Sequence, residues 1–326
     1  ERERERMSGE EGELEEGLVP ASYVRMKARD AVLLAFERFP VSNVVELLVA
    51  NASPEHTLLA TKELAYRAAD AANCEEIYEA GGISALADLV LEEDLHVKIE
   101  ALNALINLAV DEQSRMDLSE AGVVMLAVAL LQHPSPLVQF KTCNLLINLT
   151  SLDEAKEKVR EEQGIPALLA VLRSTNERVR LMAAKALHNV LFGCVPYANH
   201  AAVLEAPGAL VALMKLLLTS KDARVLQYLL RFLGLLLQYD AAVRAFCESL
   251  KGPKMLLVLA KRNAEDPLLL VLVLRLLKVV STQDGLEALQ MVDRMLAIWA
   301  ANRQQPDVAV ACLRTLLTLT DKEEHR

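Results

Sequence analysis

Along most of the chain, apolar residues recur at three- and four-residue intervals and short polar joints separate the runs, a pattern that predicts helices joined by turns. The helices come in sets. The phrase Gly82-Ile83-Ser84-Ala85-Leu86 returns as Gly122-Val123-Val124-Met125-Leu126, as Gly164-Ile165-Pro166-Ala167-Leu168 and as Gly208-Ala209-Leu210-Val211, at spacings of 40, 42 and 44 residues. Leads such as Glu79-Ala80-Gly81 and Glu120-Ala121 predict that the preceding helix ends at glycine. About 25 residues after the glycine a second phrase follows: Ala104-Leu105-Ile106-Asn107-Leu108, Leu145-Leu146-Ile147-Asn148-Leu149 and Ala186-Leu187-His188-Asn189-Val190. Leu230-Arg231, Leu274-Arg275 and Leu313-Arg314 continue the register, and a weaker unit spans Leu59 to Ala69, giving seven units.

Each unit reads as a short helix, a second helix opening at the glycine phrase and a longer third helix bearing the Asn or Arg. The joints Asn51-Ala52-Ser53-Pro54, Pro134-Ser135-Pro136 and Ser174-Thr175-Asn176 are built from turn formers. Leu268 to Val280, the most apolar run, is interrupted by Arg275 and Lys278 and is too short to span a bilayer, which takes about 20 residues, so it reads as a buried helix.

Composition sharpens this to an all-α fold. Only 12 Gly and 11 Pro punctuate 326 residues, and aromatics are 4% against 53% hydrophobic, so the apolar content is aliphatic and suits helix-on-helix packing. A net charge of -10 argues against a nucleic-acid partner. Five cysteines, at 74, 143, 194, 247 and 312, are scattered and odd in number, which suits reduced thiols and a cytoplasmic location, with cytoskeletal association left open. The expected domains are an acidic, flexible segment over 1–19, a capping helix over 20–39, the repeat array over 40–320 and a polar tail over 321–326. The first of these has no apolar core of a signal peptide and is too acidic for a mitochondrial presequence.

No catalytic apparatus is predicted. Gly81-Gly82, the one glycine pair, opens a repeat helix and not a phosphate loop, and the six histidines show no metal-ligand spacing. His188 beside Asn189, and Cys143 beside Asn144, are neighbours on a helix, where adjacent side chains point about 100° apart and do not make a nucleophile and base pair. No enzyme, cofactor or metal is expected.

A unit near 40 residues, opening Gly-Ile-Pro-Ala-Leu at Gly164 and closing Ala-Leu-His-Asn-Val at Val190, resembles the armadillo repeat over residues 40–320. The resemblance implies a right-handed α-solenoid, a superhelix of about seven armadillo- or HEAT-like repeats. It also implies that the third helices line a concave face, through residues seven, four and zero positions before the Asn landmark. These are Ala60, Glu63, Arg67; Glu100, Asn103, Asn107; Lys141, Asn144, Asn148; Met182, Lys185, Asn189; Tyr228, Arg231, Leu235; Leu272, Arg275, Val279; and Ala311, Arg314, Thr318.

The face so defined suits a protein partner. Asn107, Asn148 and Asn189 each offer a donor and an acceptor, so such a ladder can hydrogen-bond the main chain of an extended peptide; the bland alternative is that they only tie neighbouring helices together. Importin-α-type proteins carry tryptophan four residues before the Asn, whereas Asn103, Asn144 and Lys185 stand there, so nuclear-signal binding is not expected. Trp299, the sole tryptophan, lies outside the groove helices. Lys185, Arg231, Arg275 and Arg314 share one register and favour an acidic or phosphorylated segment, unless their stems merely cover apolar neighbours while their heads stay wet. Asp307 to Thr320 is very apolar for a capping helix, which leaves end-on docking or self-association open. The competing functions are a structural subunit of a cytoskeletal or ciliary assembly and the binding fragment of a transport receptor or ubiquitin ligase.

Overall fold

The structure is a computed structural model that describes residues 39–49, 53–193, 197–249, 251–280 and 288–320; the expected 1–19 segment, the 20–39 helix apart from Phe39, and the 321–326 tail lie outside them. The chain divides into two compact units, one up to Val190 and one from Leu191 onward. Among the described residues every regular element is helical.

In the first unit the helices are α1 (Val41–Val49), α2 (Pro54–Arg67), α3 (Cys74–Glu79), α4 (Gly82–Leu89), α5 (Leu95–Leu108), α6 (Glu112–Glu120), α7 (Val123–Leu130), α8 (Pro136–Leu149), α9 (Asp153–Glu161), α10 (Gly164–Val171) and α11 (Glu177–Leu191). The second unit has α12 (Ala198–Glu205), α13 (Ala209–Thr219), α14 (Ala223–Leu236), α15 (Asp240–Arg244, running into a π-helical turn over Ala245–Ser249), α16 (Gly252–Arg262), α17 (Pro267–Val280), α18 (Ala288–Ala301) and α19 (Pro306–Thr320). A longer third helix of 14 or 15 residues recurs as the periodicity predicts, in α2, α5, α8, α11, α14, α17 and α19.

Local chemistry sets the helix starts. Asp94, Asp111 and Asp222 accept the orphan N–H groups of α5, α6 and α14 through their carboxylates, and the Asn176 amide oxygen does so for α11. Proline occupies the first turn of α2 and α8, where its missing donor costs nothing. Asn51 and Ala52 lie outside the described residues, but Ser53, Ser135 and Asn176 sit where turns were expected.

The glycine landmarks split into two roles. Gly81, Gly122 and Gly208 take the left-handed conformation at the end of a first helix, at φ of 77°, 77° and 70°. Gln163 and Lys251 hold the same place at φ 60° and 51° without being glycine. Gly82 and Gly164 are instead the first residues of second helices, so aligning Gly122 and Gly208 with them was one residue out. Left-handed non-glycine residues cost energy, because the Cβ crowds the following carbonyl. Gln163→Gly should therefore stabilise the first unit by about 0.5–1 kcal/mol, after offsetting the extra freedom of glycine in the unfolded chain, and a higher urea midpoint would show it.

Packing explains why third helices are apolar nearly all round. In α5, Ala101, Leu102, Ala104, Leu105, Ile106 and Leu108 are all buried, because α2 packs on one side and α8 on the other. Each such Leu or Ile contributes about 1.5–3 kcal/mol on burial. In the second unit α17 lies between α14 and α19 in the same way. Cations close helix ends between repeats. Lys158 Nζ donates to the Ser119 carbonyl at 2.7 Å, and Arg262 Nη2 donates to the Leu217 carbonyl at 3.0 Å, at the C-terminal end of α13.

His200, on α12, is 1% exposed with its ring edge-on to Tyr197 at 4.9 Å. Burial pushes its pKa below the usual 6.5; the Leu235 carbonyl offsets this only in part, since neither ring nitrogen reaches a partner at hydrogen-bonding geometry. A depressed histidine pKa means the fold prefers the neutral ring. Its contribution is complete above the unfolded value of 6.5 and is lost as pH falls below it. Thermal midpoints measured from pH 7.5 to 5 should fall more steeply for the wild type than for His200→Phe.

Candidate functional site

Every third helix from α5 to α19 places the landmark position twelve residues after its first residue, as from Leu95 to Asn107, Pro136 to Asn148 and Glu177 to Asn189. The same count in α2 reaches Tyr66, not Arg67. A hydrogen bond agrees: Asn107 Nδ2 donates to the Ala65 carbonyl at 2.8 Å, just as Asn148 and Asn189 reach the Ile106 and Ile147 carbonyls at 3.2 and 3.1 Å. The first trio is therefore Leu59, Lys62 and Tyr66, with Tyr66 41% exposed. Ala60 and Glu63 are wholly buried, and Arg67 binds the Glu63 carboxylate at 2.9 Å and donates to the Phe39 carbonyl at 2.8 Å. That correction follows from the α-helical phase, since one residue of slip turns a side chain by about 100°.

The asparagine ladder is present, and its first duty is to the scaffold. Each ladder amide gives its nitrogen to the main chain of the preceding third helix, so part of its capacity is spent before any ligand arrives. Asn148 and Asn107 are buried while Asn189 is half-buried. The ladder lapses in the second unit, where Leu235 and Val279 stand at the landmark; the Thr318 side chain lies outside the described residues. Between α17 and α19 the cross-repeat bond comes from Thr315, whose Oγ1 donates to the Leu274 carbonyl at 3.2 Å.

Around the ladder the groove register of the first unit is polar, with Lys62, Lys141 and Lys185 beside one carboxylate, Glu100. Asn103 Nδ2 donates to Glu100 Oε2 at 2.9 Å. Burial lowers the pKa of the Lys141 amine, and the Glu100 carboxylate partly restores it. Lys185 is half-buried and belongs to this unit, whereas Arg231, Arg275 and Arg314 belong to the second. There Arg231 lies over the Tyr228 ring, 5.6 Å from its centroid, and Arg275 and Arg314 are exposed. Next to them Val279 is also exposed.

Reactive chemistry is not gathered anywhere among the described residues. No group of three or more His, Cys, Asp or Glu there could hold a metal. The four described cysteines are free thiols; burial pushes Cys143 up to about 12 and Cys312 up to about 11, so both stay protonated at neutral pH. His188 Nδ1 does come within 3.3 Å of Asn189 Oδ1, so neighbouring side chains can meet despite the angle between them, but the carboxamide offers the imidazole no hydroxyl or thiol to activate. Trp299, on α18, is half-buried with the Arg303 guanidinium 4.8 Å above its ring. No single helix among the described residues is long and apolar enough to cross a membrane.

Comparisons with known proteins agree with this geometry. Residues 37–194 match the family model described as Armadillo-like. A 70-residue stretch, 22% of the chain, is 43% identical to a juxtamembrane domain-associated catenin of Caenorhabditis elegans, and it spans only 6% of that protein's length. An engineered protein solved by the Northeast Structural Genomics Consortium superposes with a TM-score of 0.73 at 27% identity, over 86% of this chain and 68% of its own. A designed armadillo repeat protein solved in complex with the peptide (KR)4 gives a TM-score of 0.57 at 26% identity, over 66% of this chain and 90% of its own. With its glycine turns, its ladder of cross-repeat asparagines and its stacked third helices, the chain is an all-α solenoid similar to armadillo-repeat proteins, and the Armadillo-like family model matches it over residues 37–194.

Proposed function

We propose that this protein is a non-enzymatic scaffold that binds an extended, acidic or phosphorylated segment of a protein partner along the faces of its third helices. One observation carries the reading. Helices α14, α17 and α19 hold Arg231, Arg275, Lys278 and Arg314 against Asp307, with Arg224 paired to the capping Asp222 at 3.3 Å and Asp266 capping α17, in a chain whose net charge is -10. Local cations on an acidic protein favour an acidic ligand by charge complementarity, and arginine forks match carboxylate or phosphate oxygens. Asn103, Asn107, Asn144, Asn148, Lys185 and Asn189 supply the polar face of the first unit. Peptide capture by the designed armadillo protein supports the mode, and its basic ligand contrasts with what cations here would select. The free thiols suit a cytoplasmic location.

The experiment is affinity purification with wild type beside a Lys185→Glu, Arg231→Glu, Arg275→Glu, Arg314→Glu variant, once circular dichroism shows equal helix content. Partners lost from the variant alone support the groove. An unchanged partner list would sink it and would favour the second reading, a subunit held through its end. That reading draws on α19, where Val310, Leu313 and Leu317 are 46%, 48% and 60% exposed along one stripe.

A further inference from the structure

The second helices of five repeats share one phase, set by the left-handed residue that precedes each: Gly81, Gly122, Gln163, Gly208 and Lys251. Counting from it, positions three, seven and ten are exposed in all five, because that spacing makes a single stripe on a helix. In α13 the stripe is Val211, Lys215 and Leu218, and in α16 it is Lys254, Val258 and Lys261. The opposite sides, with Leu213 and Leu217 in one helix and Leu256 and Ala260 in the other, are buried. Helix α13 packs against α16, and Arg262 ties their C-terminal ends together, so the two run side by side in the same direction. In that register each lysine stands across from an aliphatic residue: Val211 with Lys254, Lys215 with Val258, and Leu218 with Lys261. The aliphatic members are 58%, 55% and 42% exposed at Val211, Val258 and Leu218.

Neither helix contains Asp or Glu. The carboxylates of this stretch lie on other elements: Asp222 and Asp266 cap α14 and α17, and Glu205, Asp240, Glu248 and Glu265 belong to α12, α15, the π-helical turn and the joint after α16. At the same positions of the first unit the only charges are Asp88 and Arg173, so the pattern is particular to these two repeats.

We infer that the α13–α16 patch is a docking surface for an anionic lipid bilayer. Lysines with no carboxylate on their own helices, in a chain of net charge -10, complement negative headgroups, and each one near such a surface adds to the attraction. The interleaved aliphatic residues supply what charge alone does not, apolar area that sinks into the boundary between headgroups and acyl chains. An acidic protein is the poorer fit. Protein interfaces anchor on Trp, Tyr and Arg, and the patch offers none of the three, whereas ammonium groups on flexible stems suit a fluid array of headgroups that imposes no fixed geometry. This surface is separate from the arginine row, which lies on third helices, and it adds a second class of partner.

The test is flotation of the full chain with unilamellar vesicles of phosphatidylcholine alone or with about one-third phosphatidylserine, where wild type should partition at least about ten-fold more strongly onto the anionic ones. Lys215→Ala, Lys254→Ala and Lys261→Ala together should cut that partitioning about 100-fold, and Val211→Ala, Leu218→Ala and Val258→Ala together about ten-fold at unchanged charge. All six residues are exposed and alanine favours helix, so both variants should keep the wild-type circular dichroism. No preference for anionic vesicles, or either folded variant floating like wild type, would overturn the inference. Arg231→Gln, Arg275→Gln and Arg314→Gln remove as much charge from the arginine row, and a larger loss there than in the lysine variant would overturn it too. Poly-glutamate bound through the same lysines without vesicle binding would give the patch to a protein and reject the lipid reading. Because the groove reading is judged on the arginine row alone, either can fail without the other.

Discussion

Gly164→Val will destabilise the first unit by about 3 kcal/mol, visible as a large fall in the thermal or urea midpoint. Gly164 opens α10, and a Cβ built there would lie 2.7 Å from both the Val159 carbonyl oxygen and its Cγ1, and 2.9 Å from Val128 Cγ2. Backbone is the decisive neighbour. A flexible side-chain tip could move aside, but the Val159 carbonyl belongs to α9 and can shift only if the turn between α9 and α10 opens. The control is Gly122→Ala, at a residue with nothing within 4 Å but φ at 77°. There the cost is local backbone strain alone, about 1 kcal/mol. If the two substitutions cost the same, close approach is not what glycine provides at position 164.

Charge reversal of the arginine row in the second unit, Arg231→Glu with Arg275→Glu and Arg314→Glu, should weaken binding of an acidic segment by at least about 100-fold. Each charge-assisted bond is worth about 1.5–3 kcal/mol, and reversal adds repulsion to the loss. Stability should barely change, because Arg275 and Arg314 are exposed. Surface plasmon resonance with an immobilised acidic peptide reads the effect, repeated at rising salt. Wild-type affinity should drop as the screening length shrinks from about 10 Å at 0.1 M to about 3 Å at 1 M, and the variant should show little further loss. Arg275→Lys separates charge from shape, since it keeps the cation but loses the planar fork. A salt-independent wild-type affinity would remove the electrostatic basis of the groove reading.

The α19 stripe and the arginine row make different demands on experiment. Val310, Leu313 and Leu317 are apolar and exposed, so an interface there would be insensitive to salt and would strengthen with temperature over the range in which burial is entropy-driven. An acidic segment on the row would behave in the opposite way. Salt titration of any captured partner thus assigns it to one surface or the other without a second variant.

The sequence by itself determined the architecture. Repeat length, the glycine ends at Gly81, Gly122 and Gly208, the proline and Asx starts of third helices and, in the first unit, the Asn landmark are local signals, because α-helices are built from contacts within one turn. What it left undecided depended on which side of a helix faces a neighbour. A one-residue slip in α2 exchanged the buried Ala60 and Glu63 for the half-buried Leu59 and Lys62 and the exposed Tyr66, and nothing in that weak first repeat marked the phase. The two roles of glycine were likewise invisible, since left-handed backbone at Gly122 and close approach at Gly164 are written with the same letter. Only the stacked helices showed that Asn107, Asn148 and Asn189 each give a nitrogen to the preceding repeat while Asn144 is left unpaired. The physical reason is that helix formation is decided over a few residues, whereas hydrogen-bond satisfaction is decided between residues some 42 apart, by packing that no single repeat contains.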